Sequence, residues 1–337
     1  MDARIDAWLD GRVEATPFHR PAWMDSVTKA CGHATHCLAA EDGQGAIVGL
    51  LPLHEVRSLL FGRALVSAGF AVSGGILADD ADVAGALAEA AWTLAERLGC
   101  PSLELKGGRL PEGEAWHVSR DSYAGFVRPL ADNDEAELLA IPRKQRAEVR
   151  RALGFDLEVR VGREAADRKD HYRVYSESVR NLGTPVFSRK LFDAVLDGFG
   201  DNADILTIRH DGKPVASVLS LYHRGTVMPY WGGGTWDARA LRANDLMYYA
   251  LMRHARGRGC TAFDFGRSKF GTGAFAFKKN WGFEPAPLAY AVRTADGAEP
   301  RAVNPLNPRY KAKIAIWQRL PLAVANMLGP WIARGLG

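Results

Sequence analysis

The chain has 337 residues, enough for two domains with full cores, and its 47% hydrophobic and 24% charged content is that of a globular protein. No apolar run approaches the roughly twenty residues needed to span a bilayer, and the acidic start MDARIDAWLD lacks the apolar core of a signal peptide, so a cytoplasmic location is expected. Net charge is +4, but only basic residues follow Glu299 (Arg301, Arg309, Lys311, Lys313, Arg319 and Arg334), leaving a body of −2; this argues against a DNA-coated body and gives the tail its own partner.

In chain order, CLAAEDGQGAIVGLLPL (37–53) reads as strand, turn, strand, with Asp42-Gly43 at a type I′ hairpin turn. LVSAGFAVSGG (65–75) is a strand ending in glycines, 81–98 is a helix capped at Gly99, and SLELKGG (102–108) is a buried strand. Residues 134–200 read as helices over Glu135–Leu153, Arg168–Leu182 and Arg189–Gly198, with a strand at 155–161. The first pattern then returns. ILTIRHDGKPVASVLSLYH (205–223) turns at Asp211-Gly212, TVMPYWGGG (226–234) ends in glycines, helix 244–257 stops at Gly259, and AFDFGRS (262–268) is the buried strand. The helix ends lie 160 residues apart, Gly99 against Gly259. Five matched elements in one order predict a duplicated mixed α/β module.

Within the second copy, strand 263–265 opens into Gly266-Arg267-Ser268-Lys269, Gly271-Thr272-Gly273 and Phe277-Lys278-Lys279. Bare backbone N–H groups beside cations suit a phosphate, a carboxylate or a developing oxyanion. Asp264 is either a general base for an amine proton or a structural carboxylate, since Glu104 stands at the matching place in the first copy. Tyr230 and Trp231 are either a stacking platform or core, and Asn244 or Asp245 is expected to cap the next helix. Arg143, Lys144, Arg146, Arg150 and Arg151 form a basic face, solvated or turned to a polyanion such as tRNA or a diphosphate carrier.

Several chemistries have no signature. Gly271-x-Gly273-x-x-Ala276 lacks the ribose-binding acid of a dinucleotide site, and no Gly-Lys-Ser/Thr occurs. The glycines of 231–245 have the wrong spacing for an acetyl-CoA pyrophosphate loop. Histidine and cysteine spacings predict neither a metal nor a disulfide framework, so no resident cofactor is expected. In the tail, Tyr310, Ile314, Trp317 and Leu320 recur at helical spacing with Lys311, Lys313 and Arg319 off that face, and Pro321 and Pro330 interrupt it. A basic, aromatic segment over 309–332 either lies on an anionic membrane surface or docks on the body.

The stretches FDFGRSKFGTGAFAFKKNWGFEPAPLAY (263–290), NLGTPVFSRKLF (181–192) and NPRYKAKIAIWQRLPLAVANMLGP (307–330) resemble the FemAB-type branch of the GNAT superfamily. More narrowly, they are similar to FemAB-related proteins associated with exosortase/PEP-CTERM systems. The resemblance implies an α/β fold of two tandem GNAT-like mixed-sheet domains, here 1–128 and 129–300, with a helical tail over 301–337. It implies transfer of an acyl or aminoacyl group, from aminoacyl-tRNA or an acyl-thioester, to an amine of a peptidoglycan or exopolysaccharide precursor, lipid-linked or free. By the same resemblance Lys278 contacts the phosphate-bearing acceptor, and the turn Arg180–Pro185, with Arg180 and Thr184, lines the acceptor cleft. Arg267, Lys269, Gly271, Gly273, Tyr230, Trp231 and Arg146 complete the expected binding set, with Lys278 and Asp264 catalytic. The alternative is a non-catalytic adaptor binding membrane or glycan.

Overall fold

The computed structural model describes residues 3–298 and 308–337, and these form two compact units. One comprises the described residues up to 121 with 288–298 and 331–337; the other comprises 122–287 with 308–330. The first unit opens with α1 (Ala3–Asp10), α2 (Pro21–Cys31), β1 (Ala34–Glu41), β2 (Ile47–Ser58), β3 (Gly62–Ser67), β4 (Leu77–Ala78), α3 (Ala81–Arg97), β5 (Ser102–Lys106) and β6 (His117–Ser119). The second contains β7 (Tyr123–Pro129), α4 (Asp134–Ala140), α5 (Arg143–Leu153), β8 (Glu158–Gly162), α6 (Ala165–Asn181), α7 (Arg189–Phe199) and β9 (Ala203–His210). It continues with β10 (Lys213–His223), β11 (Thr226–Gly234), α8 (Ala243–Gly257), β12 (Ala262–Lys269), α9 (Gly273–Asn280) and β13 (Pro285–Pro287). Strand β14 (Tyr290–Thr294) returns to the first unit, and α10 (Pro308–Arg319) and α11 (Leu322–Ala333) form the tail.

The duplication is visible in strand pairing. β1–β2–β3 is antiparallel, β3 meets β5 in parallel, and β14 flanks β5 antiparallel. β9–β10–β11, β12 and β7 repeat that arrangement. The flanking strand of each sheet therefore comes from a distant stretch of chain. The chain leaves the first unit at 121/122 and re-enters it at 287/288, whereas the sequence suggests divisions at 128/129 and 300/301. The expected start of the tail and the side chains of Arg301, Arg309, Tyr310 and Lys311 lie outside the described residues.

Local chemistry explains the elements and two departures from expectation. The α3 N-cap is Asp80, whose Oδ1 accepts from Val83 N at 2.8 Å. Gly99 and Gly259 follow their helices at φ +64° and +81°. The second hairpin turns as predicted, with Asp211 and Gly212 at φ +47° and +70°. The first does not. Asp42 Oδ1 accepts from Gln44 N and Ala46 N, both at 2.9 Å, and the left-handed residue is Gly45, so the turn is wider than the type I′ expectation. The single helix expected over Glu135–Leu153 is two, because Pro142 holds Ile141 extended (φ −72°, ψ 130°).

In both units the parallel central pair parts early. β3 and β5 pair only at Leu65–Leu103 and Val66–Glu104; β11 and β12 pair only at Thr226–Ala262 and Val227–Phe263. In the first unit main chain crosses beyond the parting. Ile76 bridges Gly108, and a Cβ on Gly75 would lie 1.9 Å from Gly107 O. The crossing segment is pinned by Trp23 Nε1 donating to Gly69 O at 3.0 Å and by Gly69 N donating to His54 Nδ1 at 2.9 Å. It strains non-glycine backbone into the left-handed region at Ala68 and Phe70.

Each core also encloses a neutral histidine. Burial pushes His54 down to about 3, and burial alone does the same to His171, whose Nδ1 hydrogen-bonds Ser217 Oγ at 3.0 Å. The unfolded chain takes up these protons near the ordinary histidine value and the fold does not, so the contribution is complete above that value and declines as pH falls through it. Each histidine is expected to remove about 1.4 kcal/mol per pH unit below about pH 6.5. Thermal unfolding at about pH 7 and about pH 5 checks this, and His171→Phe should shrink the difference between them.

Candidate active site

Past Val227 the edge of β11 that faced β12 has no strand beside it among the described residues. A cavity of about 240 Å³ opens there, walled by Ser178, Asn181 and Leu182 of α6 and its end, the run Gly232–Trp236, and Asn244 and Tyr248 of α8. The glycines let both helices close on the strand. A Cβ on Gly233 would sit 2.2 Å from Ser178 Oγ, and one on Gly234 would sit 2.7 Å from Asn244 Oδ1. Two polar atoms of this wall, Thr235 Oγ1 and Asn244 Oδ1, are buried without a hydrogen-bond partner. Buried polar atoms are seldom left so, and these two are ready acceptors for a ligand's N–H or O–H groups.

Asn244 does not cap α8. The N-cap is Arg242, at φ +53° with no side-chain cap, and Asp245 instead accepts from Gln145 Nε2. Burial, then the Glu148 carboxylate, pushes Asp245 up to about 6.

Lys278 projects inward from α9, only partly exposed. Its Nζ donates to Arg267 O at 2.8 Å and lies 5.4 Å and 5.7 Å from the ring centres of Phe126 and Phe265. Burial lowers its pKa to about 8, against the opposing pull of the Asp264 carboxylate. Asp264 shares this environment. Burial raises its pKa, while Gly266 N, donating to Oδ1 at 2.8 Å, and the Lys278 charge hold it down. Phe265 packs 4.7 Å from Tyr248, so one aromatic contact separates the lysine from the cavity wall.

The other expected residues divide. Arg267 stacks over Tyr123 at 4.7 Å. The Gly271-Thr272-Gly273 turn is the start of α9: Gly271 is left-handed at φ +75°, and Thr272 Oγ1 accepts from Phe275 N at 3.3 Å and donates to Lys269 O at 2.7 Å. These, with Lys278 and Asp264, share the end of β12. Tyr230 and Trp231 do not form an open platform, since Trp231 is buried 4.9 Å from Phe192. Arg180 turns to the tail, donating to Gln318 O and Leu320 O at 3.4 Å, and Thr184 is exposed. Arg146 lies apart from the cavity, donating to Ile141 O at 3.1 Å in an arginine-lined surface trough with Arg143, Arg150 and Arg151. Asn181, Leu182 and Phe277 fall within motifs the sequence had marked, whereas Ser178, Thr235 and Tyr248 were not singled out.

Residues 142–279 match the family model of an acetyltransferase (GNAT) domain. Among curated proteins, none matches the sequence significantly. Solved structures do resemble it. FemX is 14% identical with a TM-score of 0.66, covering 86% of this chain and 96% of its own. A domain described as the C-terminal part of a lysylphosphatidylglycerol synthetase from Agrobacterium fabrum is 14% identical with a TM-score of 0.56, covering 82% and 90%. A tandem GNAT protein of clavulanic acid biosynthesis is 16% identical with a TM-score of 0.53, covering 88% and 96%. Residues 142–279 of the second unit thus match a GNAT domain, and the chain as a whole shares the fold of FemX and of the tandem GNAT protein.

Proposed function

We propose that the protein is an N-acyltransferase that moves an acyl or aminoacyl group onto an amine of a cell-envelope precursor, with the second unit as the working half. The observation that carries this reading is the cavity at the parted β11–β12 ends, with two buried acceptors awaiting a ligand, where the first unit has main chain crossing instead. The names of the fold neighbours, a lysylphosphatidylglycerol synthetase and a tandem GNAT protein, support the same class of chemistry.

In this reading the donor's acyl chain enters the cavity and its N–H groups meet Thr235 Oγ1 and Asn244 Oδ1. The acceptor amine attacks the donor carbonyl: a C–N bond forms, the carbonyl–oxygen or carbonyl–sulfur bond breaks with its electron pair leaving on the tRNA hydroxyl oxygen or the thiol sulfur, and the amine proton passes through water or a carboxylate such as Asp264 to that leaving group. An ammonium has three donors and Lys278 spends one on Arg267 O, so two are available to a phosphate or an oxyanion. No resident cofactor takes part. The donor is an aminoacyl-tRNA or an acyl-thioester, and the acceptor a glycan or peptide amine of peptidoglycan or exopolysaccharide type.

The decisive test offers purified protein acyl-CoA, acyl-carrier-protein and aminoacyl-tRNA donors with amine acceptors. Turnover with one donor class, lowered about 10²-fold or more in Lys278→Ala at unchanged thermal stability, is the expected result. Absence of turnover with every donor favours the adaptor reading instead. Because the charged lysine is the working form, activity should fall as pH rises through about 8, and Lys278→Arg should move that fall to higher pH. Gly233→Ala, whose Cβ displaces Ser178, should weaken donor binding in calorimetry and destabilise the fold by about 1–3 kcal/mol.

A further inference from the structure

Helix α11 has the sequence LAVANMLGPWIA, without one charged side chain. A helix apolar on all sides belongs in a core or against lipid. One side of the tail is covered. Ala325 and Gly329 are buried, with Val186 N 2.9 Å from where a Gly329 Cβ would be. Asn326 Nδ2 donates to Ser176 Oγ at 3.3 Å, and Gln318 Nε2 of α10 donates to Asn181 O at 3.1 Å. The tail thus docks on the body, the second of its two expected roles. The other side of α11 faces water: Met327 is 71% exposed, Trp331 47% and Leu328 40%. Met327 and Trp331, four residues apart, stand one above the other on one helix face.

The charges around this face select its occupant. Lys313 and Arg319 precede α11 in the chain and Arg334 follows it, all three exposed, and no acidic residue follows Glu299. A second copy meeting this face symmetrically would set these cations against themselves. An anionic bilayer takes both the apolar side chains and the cations. None of the described helices is long and apolar enough to cross a membrane, and Pro330 sits inside α11, so the geometry is that of a helix lying on the surface.

We propose that α11 is an interfacial anchor that places Met327, Leu328 and Trp331 in the headgroup layer of an anionic membrane, with Lys313, Arg319 and Arg334 on lipid phosphates. The anchor stands independently of the acyl-transfer reading, and its test needs no turnover. The full chain is floated with vesicles of phosphatidylcholine alone and of phosphatidylcholine mixed with phosphatidylglycerol. Binding to the anionic vesicles only, weakened by salt and lowered about tenfold or more in Met327→Glu/Trp331→Glu with unchanged thermal stability, is the expected result. Failure of the wild-type chain to float with anionic vesicles overturns the proposal, as does binding indifferent to the double substitution. A dimer in sedimentation velocity that the same substitutions dissolve would also overturn it, assigning the face to a second copy. Should the double variant unfold, bromine-labelled phosphatidylglycerol vesicles decide the matter: the wild-type tryptophan fluorescence must be quenched, and less so in Trp331→Leu.

Discussion

Two rows of pairing between β11 and β12 are the constraint on which the site depends. A parallel pair that ends after two rows leaves backbone groups that must find other partners, because an unpaired buried amide or carbonyl is costly. The two copies of the module answer this differently. In the first, the 68–76 segment crosses and glycines at 75 and 108 admit backbone to within a side chain's width. In the second, Gly233 and Gly234 admit helices α6 and α8 instead, and a cavity is left. β11 ends in its glycines, whereas β3 ends at Ser67 and the glycines the sequence placed at its end, Gly74 and Gly75, lie in the crossing segment beyond it.

A partly buried ammonium such as Lys278 is costly unless its charge is answered. Here the answer is distributed over the Arg267 carbonyl, two aromatic faces and the nearby Asp264 carboxylate. Arg267, close by, works against it. The balance leaves the lysine charged at neutral pH but near the point of losing its proton. The raised Asp264 is the other side of the same arrangement, each group holding the other's charge in a site that burial would neutralise.

The duplication was legible because its signals are local: left-handed glycines after α3 and α8, an Asp-Gly turn after β9, and apolar strands between them. The flanking strands were not. β7 and β14 sit in sheets far from their sequence neighbours, and no periodicity encodes which edge a strand joins. At the site, the inward placement of Lys278 and its company with Asp264 and Arg267 came from one contiguous motif and so was readable. The cavity wall was not, because Ser178, Thr235, Asn244 and Tyr248 come from α6, the strand end and α8, and only the fold brings them together. Asn244 misled for a simple reason: it stands one residue past the true helix start, where a cap and a ligand-facing side chain look alike in sequence.

The tail and the cavity share a segment. Asn181 and Leu182 line the cavity, and the same turn receives the tail: Gln318 Nε2 bonds Asn181 O, and Ile314 Cγ2 lies 2.4 Å from where a Gly183 Cβ would be. Gly183 is left-handed at φ +80°, so both the turn and the close approach require glycine there. Arg180 completes the clasp from the last turn of α6. This arginine, grouped by its motif with the acceptor cleft, turns instead to the tail, joining the end of α10 to the helix whose last residues line the cavity.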